Sequence, residues 1–314
     1  MKRIEQSNKL IKAFADPCNG VIYHYTSADG LKGIIENSEL WLTNTAFVND
    51  ITECKALQEE KNLFNDNAFS NNYVNDRWQK FIRYPDDDNN TYIASFSRGE
   101  ESLGQWRAYG NFRIGFKAKN LVARRFNLYK CVYQKEEIKK WILRKGKVKE
   151  WKGDCLDDLY KRGAAFNLIY AASRKYKNEH FSGEEEIRLI AVSHHTWGLF
   201  PNSPSMFEGD PPIHYRDHPA FKMPVPYVKF FIGDKLEQGK GSKNDRKETA
   251  IDMKKRKLKE EKDAVRERLP ITEILIGPMP HQKEAGIACN ILLKDNGYEN
   301  VKVAVSKMPY RGFS

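Results

Sequence analysis

The chain has 314 residues, of which 40% are hydrophobic, 12% aromatic and 30% charged, with a formal net charge of +11. This composition excludes a chain that is disordered throughout, and no apolar stretch reaches the roughly 18 residues that a membrane span needs. The excess of Lys and Arg favours a polyanionic partner such as nucleic acid, with a basic surface that serves only solubility as the alternative.

Short strands and helices alternate in the first part of the chain. Apolar patterns predict strands at 21–25, 40–43, 91–97 and 112–116. Helices are predicted at 30–37, 53–64 and 102–109, the first of them behind capping side chains at 26–29. Residues 65–90 are rich in Asn and Asp, and 86–90 is the clearest predicted loop of the chain.

The second part of the chain predicts strands near 128–133, 184–192 and 225–232, and a helix over 154–177. Seven prolines make 200–226 a long irregular connection. The last segment predicts a strand at 271–276, a helix at 282–296 and a strand at 301–306. Short strands and irregular loops favour an α+β fold, with a split antiparallel or mixed sheet and flanking helices, over a regular βαβ series.

One domain over 1–314 is expected, with a charged insertion at 239–268. The insertion holds twelve Lys or Arg and seven Asp or Glu, a net charge of +5, and few apolar residues. It is therefore predicted to be a protruding helix or a flexible segment. The residues Lys254, Lys255, Arg256 and Lys257 are candidate contacts to nucleic-acid phosphates, with a solvated helix face that has no partner as the alternative.

Five cysteines are spread along the chain without a CxxC pair, and no HExxH motif is present, so no metal site is expected. An odd number of cysteines is typical of buried free thiols in a reducing compartment. The charged start of the chain has no apolar run behind it, so no signal peptide is expected. Together these features predict a cytoplasmic protein without a membrane partner.

Two of the segments that could carry chemistry lie in the first part of the chain. His24 closes the first predicted strand, where a histidine packed in the core is the common alternative. Ser95 and Ser97 share one face of a later strand, and Trp106 and Tyr109 follow in a helix. A strand end with an aromatic helix packed on it is the alternative for this second segment.

The third segment is the strand predicted at 184–192. Period-2 alternation would place Glu184, Glu186 and Arg188 on one face of this strand. Two carboxylates and a guanidinium on one face suit the recognition of a sugar or the stabilisation of a sugar cation. An edge strand with a solvated charged face is the alternative.

A strand ending in His, a Ser/aromatic element and a later Glu-x-Glu strand follow one another in the order of the ADP-ribosyltransferase fold. More specifically, the chain resembles the bacterial family known as domain of unknown function 2971, whose members occur among phage-defence genes. The resemblance runs from residue 21 to 311 and rests on eight motifs: Tyr23-His24-Tyr25-Thr26, Leu40-Trp41-Leu42, Asn49-Asp50-x-x-Glu53, Ser95-Phe96-Ser97, Trp106-x-x-Tyr109, Glu184-x-Glu186-Ile187-Arg188, Ile274-Leu275-Ile276-Gly277-Pro278 and Ser306-x-x-Pro309-Tyr310-Arg311.

This resemblance implies an ADP-ribosyltransferase-like fold, NAD as co-substrate, and a toxin that modifies RNA under the control of an antitoxin and a chaperone. Glu186 would stabilise the oxocarbenium-like ribose as nicotinamide leaves, and Glu184 would orient or deprotonate the acceptor. His24 would hold ribose hydroxyls, as a catalytic and NAD-binding residue. Further NAD contacts are implied for Tyr25, Thr26, Ser95, Ser97, Trp106, Tyr109 and Arg188.

The resemblance does not decide which of Glu184 and Glu186 is the catalytic carboxylate. We expect the side chains of His24, Ser95, Ser97 and Glu186 to converge on one cleft. The leading hypothesis is an NAD-dependent ADP-ribosyltransferase that modifies nucleic acid, RNA in preference to DNA. The alternatives are an NAD glycohydrolase, which uses water as the acceptor, and a nucleic-acid-binding or partner-binding protein without catalysis.

Overall fold

The computed structural model describes residues 14–16, 18–50, 52–64, 72–83, 90–121, 126–146, 158–193, 210–218, 222–233 and 250–309. The fold is mixed α+β, with one mixed sheet and flanking helices, and this coarse prediction is confirmed. The chain divides into two compact units, a division of which the sequence analysis gave no sign. The first unit comprises Met1–Pro17, Thr45–Asn89 and Asn127–Arg188, and the second comprises Cys18–Asn44, Asn90–Phe126 and Leu189–Ser314.

The strands and helices alternate irregularly along the chain. In chain order they are β1 (Val21–Thr26), α1 (Ala28–Asn37), β2 (Glu39–Asn44), α2 (Ala56–Glu59), α3 (Asn72–Arg83), β3 (Thr91–Ser97), α4 (Leu103–Tyr109), β4 (Phe112–Lys117), β5 (Phe126–Lys130), α5 (Lys135–Gly146), α6 (Asp158–Lys175), β6 (Glu186–Val192), β7 (His214–Asp217), β8 (Pro224–Gly233), α7 (Ala250–Asp263), β9 (Arg266–Glu267), β10 (Ile271–Ile276), α8 (Gln282–Asp295) and β11 (Lys302–Val305).

Most of the sheet belongs to the second unit. Its strands are hydrogen-bonded in the order β11-β10-β4-β1-β3-β2-β8-β7, and β6 pairs with β3 and with β5. β10 and β11 are parallel and are joined by helix α8, because a parallel pair needs a long crossover, whereas β1 runs antiparallel to both β3 and β4. The register of β1 places Tyr23 opposite Ser97 on one side and opposite Gly115 on the other.

Helix α1 follows β1 because Ser27 caps it. The Ser27 hydroxyl accepts a hydrogen bond from the backbone N–H of Gly30, and Leu31, Ile34 and Ile35 form the buried face. The helix ends at Ser38, which adopts a left-handed conformation with φ of 50°. The turn directs the chain into β2, whose Leu40 and Leu42 are buried.

Helical packing forms the core of the first unit. Val74, Trp78 and Phe81 of α3 lie at i, i+4 and i+7 and are almost completely buried. The Phe81 ring meets Tyr170 of α6 edge to face, with the ring centroids 6.1 Å apart. Burying each of these aromatic side chains contributes on the order of 2–3 kcal/mol, so α3 fixes the position of α6.

The first unit departs from the prediction in two places. The helix predicted at 53–64 is reduced to Ala56–Glu59, because Cys54 adopts a left-handed backbone, with φ of 61°, inside a series of turns. The Asn- and Asp-rich stretch 65–90, for which no helix was predicted, contains α3, because the helical spacing of its apolar residues outweighs the composition around them. Of the loop predicted at 86–90, all but residue 90 lies outside the described residues. The irregular connection at 200–226 likewise contains β7 and the start of β8.

Candidate functional site

Five charged side chains meet in the first unit, where β6 begins, and we call them the ionic cluster: Glu53, Lys177, Glu184, Glu186 and Arg188. Lys177 Nζ donates to Glu184 Oε2 and to Glu186 Oε2, at 2.8 Å in each case. Arg188 Nη2 lies 3.1 Å from Glu186 Oε2 and 2.6 Å from Glu53 Oε1. Each cation therefore bridges two carboxylates, and Glu186 receives both cations on the same oxygen.

The backbone places Glu184 and Glu186 differently from the sequence prediction. Residues Glu179–Glu184 form a 3₁₀ helix, and Glu185 then adopts a left-handed conformation with φ of 44°. Strand β6 begins only at Glu186. Glu186 and Arg188 do share a strand face, as predicted, but Glu184 precedes the strand and joins them only through Lys177.

Charge neutralisation dominates the electrostatics of the ionic cluster. Burial alone would raise the pKa of Glu186, but Arg188 and Lys177 outweigh burial and lower that pKa to about 2. Burial raises the pKa of Glu53, because Arg188 offsets only part of the desolvation while Glu186 adds repulsion. Of the two carboxylates that share Arg188, Glu186 is therefore the one that stays ionised to lower pH.

Neutral groups complete the surroundings of Glu186. The Cys131 thiol donates to Glu186 Oε2 at 3.5 Å, and the Tyr133 hydroxyl accepts the backbone N–H of Glu186 at 2.8 Å. Burial raises the pKa of Cys131 well above its ordinary value, so this thiol stays protonated and is a poor nucleophile. Arg188 also donates through Nη1 to the carbonyl of Arg174 at 2.7 Å.

Solvent access separates the two glutamates of the Glu-x-Glu motif. The side chain of Glu186 is 3% exposed and that of Glu184 is 23% exposed, while their common partner Lys177 is 5% exposed. Of these two glutamates, only Glu184 can present its carboxylate to a molecule that arrives from solution. The position of Glu184 is nevertheless fixed by its hydrogen bond from Lys177, because Lys177 is buried and is also paired with Glu186.

The remaining predicted site residues lie in the second unit. His24 Nδ1 donates to the backbone carbonyl of Ser95 at 2.9 Å, and the His24 ring lies 5.6 Å from that of Phe96. Burial lowers the pKa of His24 below its ordinary value of 6.5, with the hydrogen bond to Ser95 opposing the shift only in part. The Ser97 hydroxyl accepts the backbone N–H of Gly99 at 3.2 Å.

Helix α4 packs on the end of β1. The Tyr25 and Trp106 rings meet edge to face, 4.7 Å apart. Gly110 follows the helix with φ of 117°, and a Cβ atom there would lie 2.6 Å from the carbonyl oxygen of Thr26. Glycine is therefore required at this close approach. Tyr109, the last residue of α4, is 40% exposed.

Two cations next to the predicted residues were missed by the sequence analysis. Arg113 is buried, with Cζ 3.5 Å from the centroid of the Tyr23 ring, and its Nη2 donates to the carbonyl of Gly99. A charged residue inside the apolar strand Phe112–Lys117 was the available signal. Lys177, the centre of the ionic cluster, follows helix α6 without any local pattern that marks it.

The structure thus gathers the predicted residues into two groups. Glu184, Glu186 and Arg188 are together in the first unit, and His24, Tyr25, Thr26, Ser95, Ser97, Trp106 and Tyr109 are in the second. The convergence of His24, Ser95, Ser97 and Glu186 on one cleft stays a prediction.

The four candidate nucleic-acid contacts lie on α7, the described part of the charged insertion. Lys255 is exposed, and Arg256 pairs with Glu260 at 2.9 Å. Lys257 is 5% exposed and donates to the carbonyl of Asp210 at 3.0 Å, so this side chain is part of the core packing. The side chain of Lys254 lies outside what the structure describes, as do residues 239–249.

Comparison with protein-family models, curated proteins and solved structures gave no significant match. Among the described residues, no three His, Cys, Asp or Glu side chains are grouped as metal ligands would be. None of the helices in the described ranges is both long enough and apolar enough to cross a membrane.

Proposed function

We propose that the protein is an NAD-dependent ADP-ribosyltransferase that modifies nucleic acid, RNA in preference to DNA. The proposal includes the ADP-ribosyltransferase-like fold and the role of a phage-defence toxin controlled by an antitoxin and a chaperone. The sequence resemblance supplies the class of reaction. The observation that carries the proposal is the arrangement of Glu184 and Glu186, one exposed and one buried, on a shared lysine.

Glu184 is the carboxylate that meets the substrate in this proposal. The bond between nicotinamide and C1′ of the ribose breaks, and both electrons leave with nicotinamide. A carboxylate held beside C1′ opposes the positive charge that develops there. The acceptor then bonds to C1′, and its proton passes to the carboxylate or to water.

Glu186 is a positioning residue in the same proposal. Its carboxylate is 3% exposed and is occupied by Lys177 and Arg188, so it cannot itself approach a ribose. It holds Lys177 in place, and Lys177 in turn holds Glu184 at 2.8 Å. This assigns the role that the sequence left open between the two glutamates.

A nucleic-acid acceptor is supported by the formal net charge of +11. Lys and Arg contacts to phosphates supply affinity that does not depend on sequence. The second candidate is a nucleic-acid-binding protein without catalysis. It is favoured by the complete neutralisation of Glu186, because buried ionic networks of this kind also occur where they only fix a structure.

The test is incubation with NAD that is labelled in its adenylate part, with RNA, DNA or protein added separately. Label is expected on the nucleic acid, with one nicotinamide released for each ADP-ribose transferred. Glu184→Gln is expected to lower transfer about 10²–10³-fold, the usual cost of losing one preorganised electrostatic group.

Glu179→Gln is the matched control, because Glu179 is an exposed glutamate of the same 3₁₀ helix and lies outside the ionic cluster. Its transfer rate is expected to equal that of the wild type. Nicotinamide release without any acceptor would identify a glycohydrolase instead. No consumption of NAD under any condition would favour the binding protein and end the transferase proposal.

A further inference from the structure

An aromatic and cationic surface lies on one face of strands β2, β7 and β8 in the second unit. Trp41 pairs with Lys229, and Tyr227 pairs with both Thr43 and His214. Antiparallel partners share a face, and residues two apart along a strand do so too. Trp41, Tyr227, Lys229 and, two residues beyond His214, Arg216 therefore project to the same side, and we call them the aromatic face.

Trp41 is held rigidly although 41% of it is exposed. Its ring stacks on Tyr227, with centroids 4.4 Å apart and an interplanar angle of 26°. Its indole N–H donates to Glu39 Oε1 at 2.7 Å. A ring fixed in this way loses little freedom when a planar ligand stacks on it, so it is preorganised as a platform.

Positive charge surrounds this platform. Arg216 is exposed, its Cζ lies 5.8 Å from the centroid of the Trp41 ring, and its Nη2 donates to Thr43 Oγ1 at 2.9 Å. Within the described part of the chain Arg216 makes no ion pair. Lys229 and Arg266 share the single carboxylate of Glu39, at 3.1 and 2.6 Å. Arg216, Lys229 and Arg266 thus face two carboxylates, Glu39 and Glu261, which leaves an excess of one positive charge.

A cavity of about 660 Å³ adjoins the aromatic face at Lys229 and Arg266. This volume is within the range of ligand pockets. Two carboxylates also line it: Glu261 Oε1 lies 2.8 Å from His214 Nε2, and Glu36 Oε1 lies 3.9 Å from Lys32 Nζ. Lys262 adds a further cation to the lining. The cavity therefore offers a polar space of mixed charge, with room for a sugar and its phosphate, next to the stacked ring.

We propose that the aromatic face binds single-stranded nucleic acid, with a base stacked on Trp41 and phosphates held by Arg216 and Lys229. This inference rests on the nucleic-acid acceptor of the proposed function and locates where that acceptor is held. An exposed aromatic ring beside cations that outnumber the nearby carboxylates suits unpaired bases, whose flat faces stack on aromatic side chains while the backbone contacts Lys and Arg. A duplex keeps its bases stacked internally and cannot use Trp41 in this way.

The first experiment measures the binding of a fluorescent oligouridylate by anisotropy in the absence of NAD. The oligouridylate has about 12 nucleotides, a length typical of single-strand binding sites. Trp41→Ala is expected to weaken binding about 5- to 150-fold, the range for loss of one stacked base. Trp41→Phe keeps an aromatic ring and is expected to retain most of the affinity.

Phe166→Ala is the matched control. Phe166 is also 41% exposed and also stacks on a tyrosine, Tyr170, but Arg77 already lies 4.3 Å from its ring centroid. No change in affinity is expected for this variant. Equal losses for Phe166→Ala and Trp41→Ala, or an unchanged affinity for Trp41→Ala, would overturn the proposal.

The second experiment tests the cations. Arg216→Gln is expected to lower the slope of log affinity against log salt by about 0.7, the value for one phosphate contact to a single strand. Lys302→Gln removes the same charge from β11, at the opposite end of the sheet order, and is expected to leave the slope unchanged. Equal changes in both slopes would show a diffuse charge effect and overturn the assignment of Arg216.

The outcomes separate this inference from the transferase proposal. Weakened binding in Trp41→Ala, in a protein that consumes no NAD, would support the aromatic face and end the transferase proposal. If the protein consumes NAD but Trp41→Ala binds oligouridylate as tightly as the wild type, the transferase proposal is supported and the aromatic face is not the binding site. Thermal unfolding of each variant shows whether it is folded, and Trp41→Phe supplies the comparison if Trp41→Ala is not.

Discussion

A buried glutamate lies between two cations both in the ionic cluster and next to the aromatic face, but the exposure of the cations differs. Glu186 meets Lys177 and Arg188, which are 5% and 0% exposed, so all three charges are withdrawn from solvent. Glu39 meets Lys229 and Arg266, which are 20% and 22% exposed, so both cations still reach water. The same triad is a closed structural element in one place and an open cationic surface in the other.

A charged motif in a sequence therefore does not by itself indicate an accessible site. The segment Glu184–Arg188 carries four charged side chains, yet Glu186 and Arg188, the two that lie on the strand, are buried. Trp41, by contrast, comes from an apolar strand and is among the more exposed aromatic residues described. The following variants test the comparison, beginning with the largest expected effect.

Removing the guanidinium from the ionic cluster should have the largest effect on stability. Arg188→Met leaves two buried carboxylates without their shared cation, and we expect a loss of about 3–5 kcal/mol in the free energy of unfolding. The measurement is urea denaturation at pH 7. Lys80→Met breaks the exposed pair with Asp76 and should change stability by less than about 0.5 kcal/mol. A loss below about 1 kcal/mol for Arg188→Met would contradict the closed character of the cluster.

Acid should reveal the ionised state of Glu186. Because Arg188 and Lys177 hold the pKa of Glu186 at about 2, below the value of 4.5 in an unfolded chain, its ionised carboxylate stabilises the folded state. Because the folded-state pKa lies below the unfolded one, this contribution is complete above about pH 4.5 and is lost as the pH falls towards 2.

Glu186→Gln removes the titrating group, so we expect a less stable protein at pH 7 whose stability changes less between pH 4.5 and 3. Urea midpoints measured across that range provide the comparison. Glu179→Gln should keep the wild-type profile. An identical acid profile in Glu186→Gln and the wild type would show that Glu186 is not the group that titrates.

The corresponding change in the aromatic face should have the smallest effect. We expect Glu39→Gln to cost only about 1–2 kcal/mol, since Lys229 and Arg266 remain partly hydrated and an amide oxygen still accepts the indole N–H of Trp41. Oligouridylate binding should stay equal or become tighter, because a negative charge is removed. A loss as large as that of Glu186→Gln would erase the distinction between the two regions.

The sequence predicted well those elements whose signal is local. Strands Thr91–Ser97 and Ile271–Ile276 appear with the predicted bounds, because alternating or continuous apolar runs there end at polar turns. Helix Asn72–Arg83 was missed because its apolar stripe is narrow and its neighbours are Asn and Asp.

The candidate site was harder to predict because its partners come from distant parts of the chain. Glu186 and Arg188 were identified, but nothing near them indicates that Lys177 and Glu53 neutralise them. The exposure of Trp41 was equally hidden, since it depends on the pairing of β2 with β8 and β7. Residue types were readable from the sequence, and burial was not.

The left-handed backbone at Glu185 has a consequence for recognising similar chains. Most L-residues pay about 1–3 kcal/mol for this conformation, whereas glycine adopts it freely and asparagine at reduced cost. A homologous motif built on the same turn would tolerate Glu-Gly-Glu or Glu-Asn-Glu and would reject Val or Ile at the middle position. The spacing of the two acids would thus be maintained by an intervening residue chosen for its backbone, whose side chain is free to vary among small and polar types.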